Sequence, residues 1–282
     1  MKLRLTTLSE NTAGVIDVLA ELGWSVLVET DEVNILFDTG LNISVCHNAD
    51  ILGIDLSKVD KIVLSHGHVD HTGGLRQILR KMRKKVEIIA HPHVWAIRYN
   101  RQGQKNKFTG IPFQRWDLEN SGAIFNLTSE PVKITDSIMT TGEIPMVTDF
   151  EEVALPLGGN GRFIQEDAGL KPDKLLDDLA LIINTELGLV IVSGCAHRGI
   201  INTLYHAQQL TGKKEIHTVL GGSHLIGASE ERVRLTIAAL KDLRVERLGL
   251  CHCTSLPVVA RLAQEFGDKF FFNNTGTVLE LP

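Results

Sequence analysis

Apolar positions along the chain come in short runs broken by polar turns, and their spacing alternates between two periods. Lys2 to Leu8 reads as a strand, and so does Trp24 to Phe37, where Asp31 and Glu32 supply a hairpin turn. A helix-like stretch follows around Ile43 to Leu52, then a short apolar run from Lys61 to Leu64. Leu75, Ile78, Leu79 and Met82 recur at helical spacing, and Val86 to Ala90 is the next strand. The order strand, loop, helix, strand is the signal of a βαβ unit and predicts an α/β fold.

Periodicity fades between about residues 94 and 173, where only short strand candidates such as Pro131 to Ile134 and Ser137 to Thr141 stand out. This stretch reads as an irregular insertion, or long loops over a site. Regularity resumes with a hairpin of Leu179 to Asn184 and Leu189 to Ser193, and a helix from Ile200 to Leu210 with Gly212 as its stop. Then come a strand at His217 to Leu220, a helix opened by Ser229 with Glu230 and Glu231 in its first turn, and a strand at Arg247 to Leu250. A helix near Val258 to Phe266 and a strand at Val278 to Leu281 close the chain.

With 282 residues and apolar and charged fractions of 43% and 22%, the chain fits a globular protein of one large or two small domains. A net charge of -5 weighs against a nucleic-acid partner, because phosphate binding leaves a basic footprint. The run Arg80 to Lys85 reads as a solvated helix end. Arg98, Arg101, Lys105 and Lys107 form a looser basic stretch that could meet a phosphate-bearing substrate. No apolar run is long enough to span a membrane, and the first residues start a strand rather than a signal peptide, so a cytoplasmic location is expected. Cys46, Cys195, Cys251 and Cys253 show no disulfide spacing.

The chemistry gathers in Ser65-His66-Gly67-His68-Val69-Asp70-His71-Thr72-Gly73-Gly74. Imidazole and carboxylate are the usual ligands of zinc, iron and manganese. His66 and His68 point the same way in an extended segment and can reach one ion, while Asp70 and His71 follow the bend and can reach a second. Gly67, Gly73 and Gly74 permit tight backbone packing. His66, His197, His224 and His252 each follow an apolar strand candidate directly. Sites of open α/β sheets lie at strand ends, so these four are expected to converge. Cys195 reads as a small buried thiol rather than a ligand, and Cys251 and Cys253, flanking His252 in an extended segment, point away from it. His91 and His93 read as structural, and His47, His206 and His217 as satisfied polar residues.

His-x-His-x-Asp-His after a strand, with Asp38-Thr39-Gly40 upstream, resembles the metallo-β-lactamase superfamily. Ser193 to Ile200, Gly221 to Leu225 and Cys251 to Thr254 are similar to one branch of it, the 7,8-dihydropterin-6-yl-methyl-4-(β-D-ribofuranosyl)aminobenzene 5′-phosphate synthases. The resemblance runs from about residue 3 to the C-terminus and implies one domain over 1–282, a four-layer αββα sandwich, with the insertion at about 94–173. It implies two divalent metal ions, zinc foremost, with manganese or iron also suited to these ligands. His66, His68 and His197 would hold one ion, and Asp70, His71 and His252 the other. Asp70 and His224 are the candidate catalytic residues, His224 as a ligand, a general acid or a phosphate contact. Asp38 is expected to orient the histidine loop from behind. The chain departs from the branch at Ser223 and Ser255, and from the superfamily pattern at Cys195, which stands where the bridging aspartate is usual, and in having no histidine near Leu175 to Asp178.

The expected function is a metal-dependent enzyme acting on a small phosphorylated substrate, a pterin among the candidates. It is either a hydrolase or the related dihydropterin-methyl transferase. A metal-binding sensor without turnover and an RNA-processing nuclease are the alternatives. The histidines beyond those a structural ion needs argue against the first, and the acidic balance against the second.

Overall fold

A computed structural model describes residues 2–153 and 160–282 of the chain. Part of the 94–173 stretch thus lies outside the described residues, as does Met1. In chain order the elements are β1 (Leu3–Ser9), β2 (Ser25–Thr30), β3 (Asn34–Phe37), α1 (Ser44–Ile51), β4 (Lys61–Val63), α2 (Val69–Thr72), α3 (Leu75–Met82) and β5 (Val86–Ala90). Then come β6 (Arg98–Gln102), β7 (Lys105–Phe108), α4 (Arg115–Asn120), β8 (Ala123–Leu127), β9 (Ile138–Thr140), β10 (Gly161–Glu166), β11 (Gly169–Pro172) and β12 (Ala180–Thr185). The last are β13 (Gly188–Ser193), α5 (Ile200–Thr211), β14 (Ile216–Gly222), α6 (Glu230–Asp242), β15 (Arg247–Cys251), α7 (Leu256–Phe266) and β16 (Val278–Leu281).

Two sheets face each other. The first has seven strands in the order β16-β1-β2-β3-β4-β5-β8, and the second five in the order β15-β14-β13-β12-β9. Val26, Val28, Ile35 and Phe37 of the first sheet share a buried cluster with Leu181, Ile183, Val190 and Val192 of the second. Helices α1, α3 and α4 cover the outer face of the first sheet, and α5, α6 and α7 that of the second. This is the four-layer αββα sandwich that the sequence resemblance implies. In α3, Leu75, Ile78, Leu79 and Met82 form one buried stripe. Burying each contributes about 1.5–3 kcal/mol, which sets which face of the helix meets the sheet.

The stretch from 94 to 173 is more regular than its sequence suggests. β8 is one edge of the first sheet and β9 one edge of the second, while β6, β7, β10 and β11 make a separate four-stranded sheet. Pro131 to Ile134 forms no strand; Lys133 makes only a single bridge to Met139. Periodicity gave little warning because these strands are short and mixed in exposure, β7 being exposed at every position.

The topology decides where a site can form. β3, β4, β5 and β8 run parallel in the first sheet, and β13, β14 and β15 run parallel in the second. The histidine loop leaves the carboxyl end of β4, and the segments bearing Cys195, His224 and His252 leave those of β13, β14 and β15.

Candidate metal centre

The loop from Ser65 to Gly74 is pinned by close backbone packing. A side chain at Gly67 would meet the Val94 carbonyl oxygen at 2.1 Å, and one at Gly73 would meet that of Leu41 at 1.9 Å. Neither glycine has a positive φ, so lack of bulk is what these positions require. His68 is extended, and the α2 turn after it swings Asp70 and His71 round toward the second sheet. Asp38 holds the loop from behind: Oδ1 accepts the Ser65 N–H at 2.7 Å, and Oδ2 accepts the Ser65 hydroxyl at 2.6 Å and His71 Nδ1–H at 2.7 Å.

These bonds assign the tautomers. The Ser65 hydroxyl gives its hydrogen to the carboxylate, so its oxygen receives Nδ1–H of His66 at 2.9 Å. The Asn11 side-chain oxygen likewise lies 3.0 Å from His252 Nδ1. Nδ1 of His66, His71 and His252 is thereby occupied, and each Nε2 faces inward as the nitrogen left to ligate an ion.

The inward atoms form two groups. His66 Nε2 lies 2.9 Å from His68 Nδ1, and His197 Nε2 lies 3.2 Å from the same His68 nitrogen. Asp70 Oδ2 lies 3.5 Å from His252 Nε2 and 3.9 Å from His71 Nε2. Within each trio the ligand atoms are all within 4.8 Å of one another. Ligands of one tetrahedral zinc, with bonds of about 2.0–2.3 Å, stand roughly 3.3–3.8 Å apart. The structure thus brings together the residues expected for each of two ions.

The second sheet delivers its share through strained turns. Ala196, His224 and His252 all have left-handed φ, as does Asp38 on the first sheet. Such backbone costs roughly 1–2 kcal/mol per non-glycine residue, and its concentration here marks a site to which packing has been subordinated. Residues 252–254 form a 3-10 turn rather than the extended segment expected. The turn moves Cys253 into a trio with Cys195 and His252, while Cys251 faces the core between the sheets. The expectation that Cys253 points away from His252 is therefore corrected.

The donor set fits a cation. His66 Nε2 and His197 Nε2 meet around His68 Nδ1, and a single hydrogen shared between two of these three nitrogens leaves a third lone pair facing in. His252 Nε2 and His224 Nδ1 are buried without a hydrogen-bond partner among the described residues. Burial, reinforced by neighbouring imidazoles and Arg98, keeps His66 and His68 well below the usual histidine range. Burial, with His224 and Arg162 beside it, does the same for His197. These rings are neutral and ready to ligate. Burial opposes a proton on His71, yet the carboxylates of Asp38 and Asp70 outweigh it and push that pKa up to about 9. Two carboxylates thus call for positive charge at this spot.

Two arginines separate in role. Arg98 is 1% exposed and bonds Asp173 Oδ2 at 2.8 Å and Asp177 Oδ1 at 2.6 Å. Asp177 Oδ2 in turn accepts the Gly67 N–H at 2.8 Å. Arg98 braces the histidine loop and is not open to a phosphate, contrary to the sequence expectation. Lys105 and Lys107 stand exposed on β7, and Arg101 bonds Asn106. The cation that reaches the cluster is Arg162 on β10, whose guanidinium contacts His224 Nε2. No carboxylate pairs with it among the described residues. The His224 ring lies 4.1 Å from that of His197. Sequence reasoning missed Asn11, Arg162 and Asp177, which carry no local signature. His91 and His93 pack on each other outside these groups, with His91 Nδ1 accepting the His93 N–H at 3.1 Å.

Comparison with known proteins identifies the family. The family model of the metallo-beta-lactamase superfamily matches residues 19–171. Over 99% of this chain and 96% of the relative, the sequence is 32% identical to 7,8-dihydropterin-6-methyl-4-(beta-D-ribofuranosyl)-aminobenzene-5'-phosphate synthase of Methanocaldococcus jannaschii. An uncharacterised protein of the same organism is 28% identical over 92% of this chain and 93% of its own. The crystal structure of Tm1679, described as a metal-dependent hydrolase of the beta-lactamase superfamily, is 26% identical with a TM-score of 0.83, covering 99% of each chain. This chain belongs to the metallo-β-lactamase superfamily.

Proposed function

We propose that this member of the metallo-β-lactamase superfamily is an enzyme with two divalent ions, acting on a small phosphorylated substrate by transferring a dihydropterin-methyl group to an arylamine. The observation that carries the reading is the pair of donor trios, His66, His68, His197 and Asp70, His71, His252, beside the Arg162 guanidinium. Two ions held there supply Lewis acidity toward phosphoryl oxygens.

The protein's own groups do the rest. Arg162 binds a phosphoryl oxygen by a charge-assisted hydrogen bond. His224, in contact with that guanidinium, would touch the same group. The Asp70 oxygen that is not a ligand can accept the proton of an incoming nucleophile. A full-length relative named as the synthase supports transfer over hydrolysis. Zinc suits the imidazole-rich donors best.

A hydrolase is the second reading, supported by the description of Tm1679. Among the described residues no helix is long and apolar enough to cross a membrane. Turnover separates the readings. Metal-loaded protein is given phosphodiesters, lactones and a dihydropterin-methyl diphosphate, with and without an arylamine acceptor. Transfer requires that the diphosphate react only when the amine is present; consumption with water alone makes the chain a hydrolase.

A further inference from the structure

Cys195 stands where the superfamily pattern has a bridging aspartate, and the structure gives its sulfur a position that no other side chain of the cluster shares. Its ligand atom belongs to three candidate groups, with His66 and His71, with His197 and His224, and with His252 and Cys253, whereas every other residue of the cluster belongs to at most two. In each group the atoms lie within 4.8 Å of one another. The sulfur therefore reaches His66 and His197 of one trio and His71 and His252 of the other. Its distance to His71 Nε2 is 3.2 Å, just under the roughly 3.3–3.8 Å that separates two ligands of one tetrahedral ion.

The backbone is shaped to deliver it. A side chain on Gly194 would lie 2.0 Å from Ser65 Oγ and 3.2 Å from Asp38 Oδ2. Only a bare α-carbon lets the end of β13 close on the histidine loop and set Cys195, 3% exposed, between the trios. A buried thiol is a small apolar filler in most proteins. A filler has no reason to sit among the imidazoles of His66, His71, His197, His224 and His252 and the thiol of Cys253.

We infer that Cys195 is a metal ligand shared between the two ions, and that its sulfur makes the centre select thiophilic ions such as zinc, cobalt or iron(II) over manganese and magnesium. The inference rests on the two-ion reading above. A thiolate has lone pairs for two ions, as a carboxylate does, but it is a soft donor where the carboxylate is hard. On binding, the S–H bond breaks, sulfur keeps the electron pair and donates it to the ions, and the proton leaves to solvent.

Cobalt(II) loading tests this by a readout other than activity. The expected result is two equivalents of cobalt per chain by emission spectroscopy and a thiolate-to-cobalt charge-transfer absorption. Cys195→Ser should keep at least one equivalent through its histidines and lose that band, while Cys253→Ser keeps it. Cys195→Asp should keep both ions and move the zinc-over-manganese preference at least about tenfold toward manganese, as one soft donor becomes hard. X-ray absorption of the unaltered zinc-loaded chain needs no variant, and should show sulfur at about 2.3 Å. Two bound cobalt ions with no charge-transfer band, or a band that survives Cys195→Ser, would overturn the inference and leave the two-ion reading standing. A chain that binds no cobalt overturns both.

Discussion

His71 donates Nδ1–H to Asp38 Oδ2 across 2.7 Å, between side chains that are both fully buried. The same carboxylate takes the Ser65 hydroxyl, whose oxygen receives the His66 ring hydrogen. One carboxylate thus fixes a histidine of each donor trio.

Asp38→Asn keeps the shape and replaces an acceptor by an N–H. With the amide nitrogen at the Oδ1 position the Ser65 backbone N–H loses its acceptor, and at the Oδ2 position the Ser65 hydroxyl and His71 Nδ1–H lose theirs, so the loop is no longer held as it was. Metal affinity should fall about 10–100-fold, the usual cost of losing a partner behind a ligand. Competition with a chromogenic chelator measures it, and unchanged affinity would remove Asp38 from this role.

His66→Ala and His68→Ala should each lose most bound metal, and most turnover with it. Emission spectroscopy of the purified variants reports metal content directly. Full occupancy in both would sink the proposed centre.

Arg162→Ala should raise KM for a phosphorylated substrate, and lower kcat/KM about 10–100-fold, as expected for a charge-assisted hydrogen bond of about 1.5–3 kcal/mol. Because Arg162 pairs with no carboxylate among the described residues, thermal stability should hardly change. An equal loss on an uncharged ester would show that the residue does not read phosphate.

Arg98→Met should behave in the opposite way. It strips the partner from Asp173 and Asp177, carboxylates that are 4% and 1% exposed. Breaking a buried pair in this manner costs about 3–5 kcal/mol. Denaturant unfolding should show that loss, and the Gly67 contact of Asp177 should carry it into weaker metal binding.

The layered fold was legible because both sheets are built from apolar runs with clear turns: the Val278 to Leu281 strand and the Gly212 stop appear as the spacing predicts. The histidine loop was legible because its ligands are neighbours in sequence. Its partners could be named only through strand ends and family resemblance. What stayed hidden depends on tertiary placement. Asn11 reaches His252 across 241 positions, and Arg162 comes from a small sheet whose strands bury only Arg98 and Phe163 among the described residues. Cys253 was misread because an alternation rule presumes an extended chain, and a left-handed φ of 53° at His252 ends the extension there.

The donors come from both halves of the sandwich, His66 to His71 from one leaf and His197 to His252 from the other. An ion seated among them ties together residues separated by most of the chain, which gives it the effect of a cross-link closing a long loop. Chelation should therefore be felt far from the chemistry, as faster amide exchange along the Phe37–Val192 seam where the leaves meet. The reagents that silence this protein would then also loosen it, and activity and mechanical integrity would be lost at the same place.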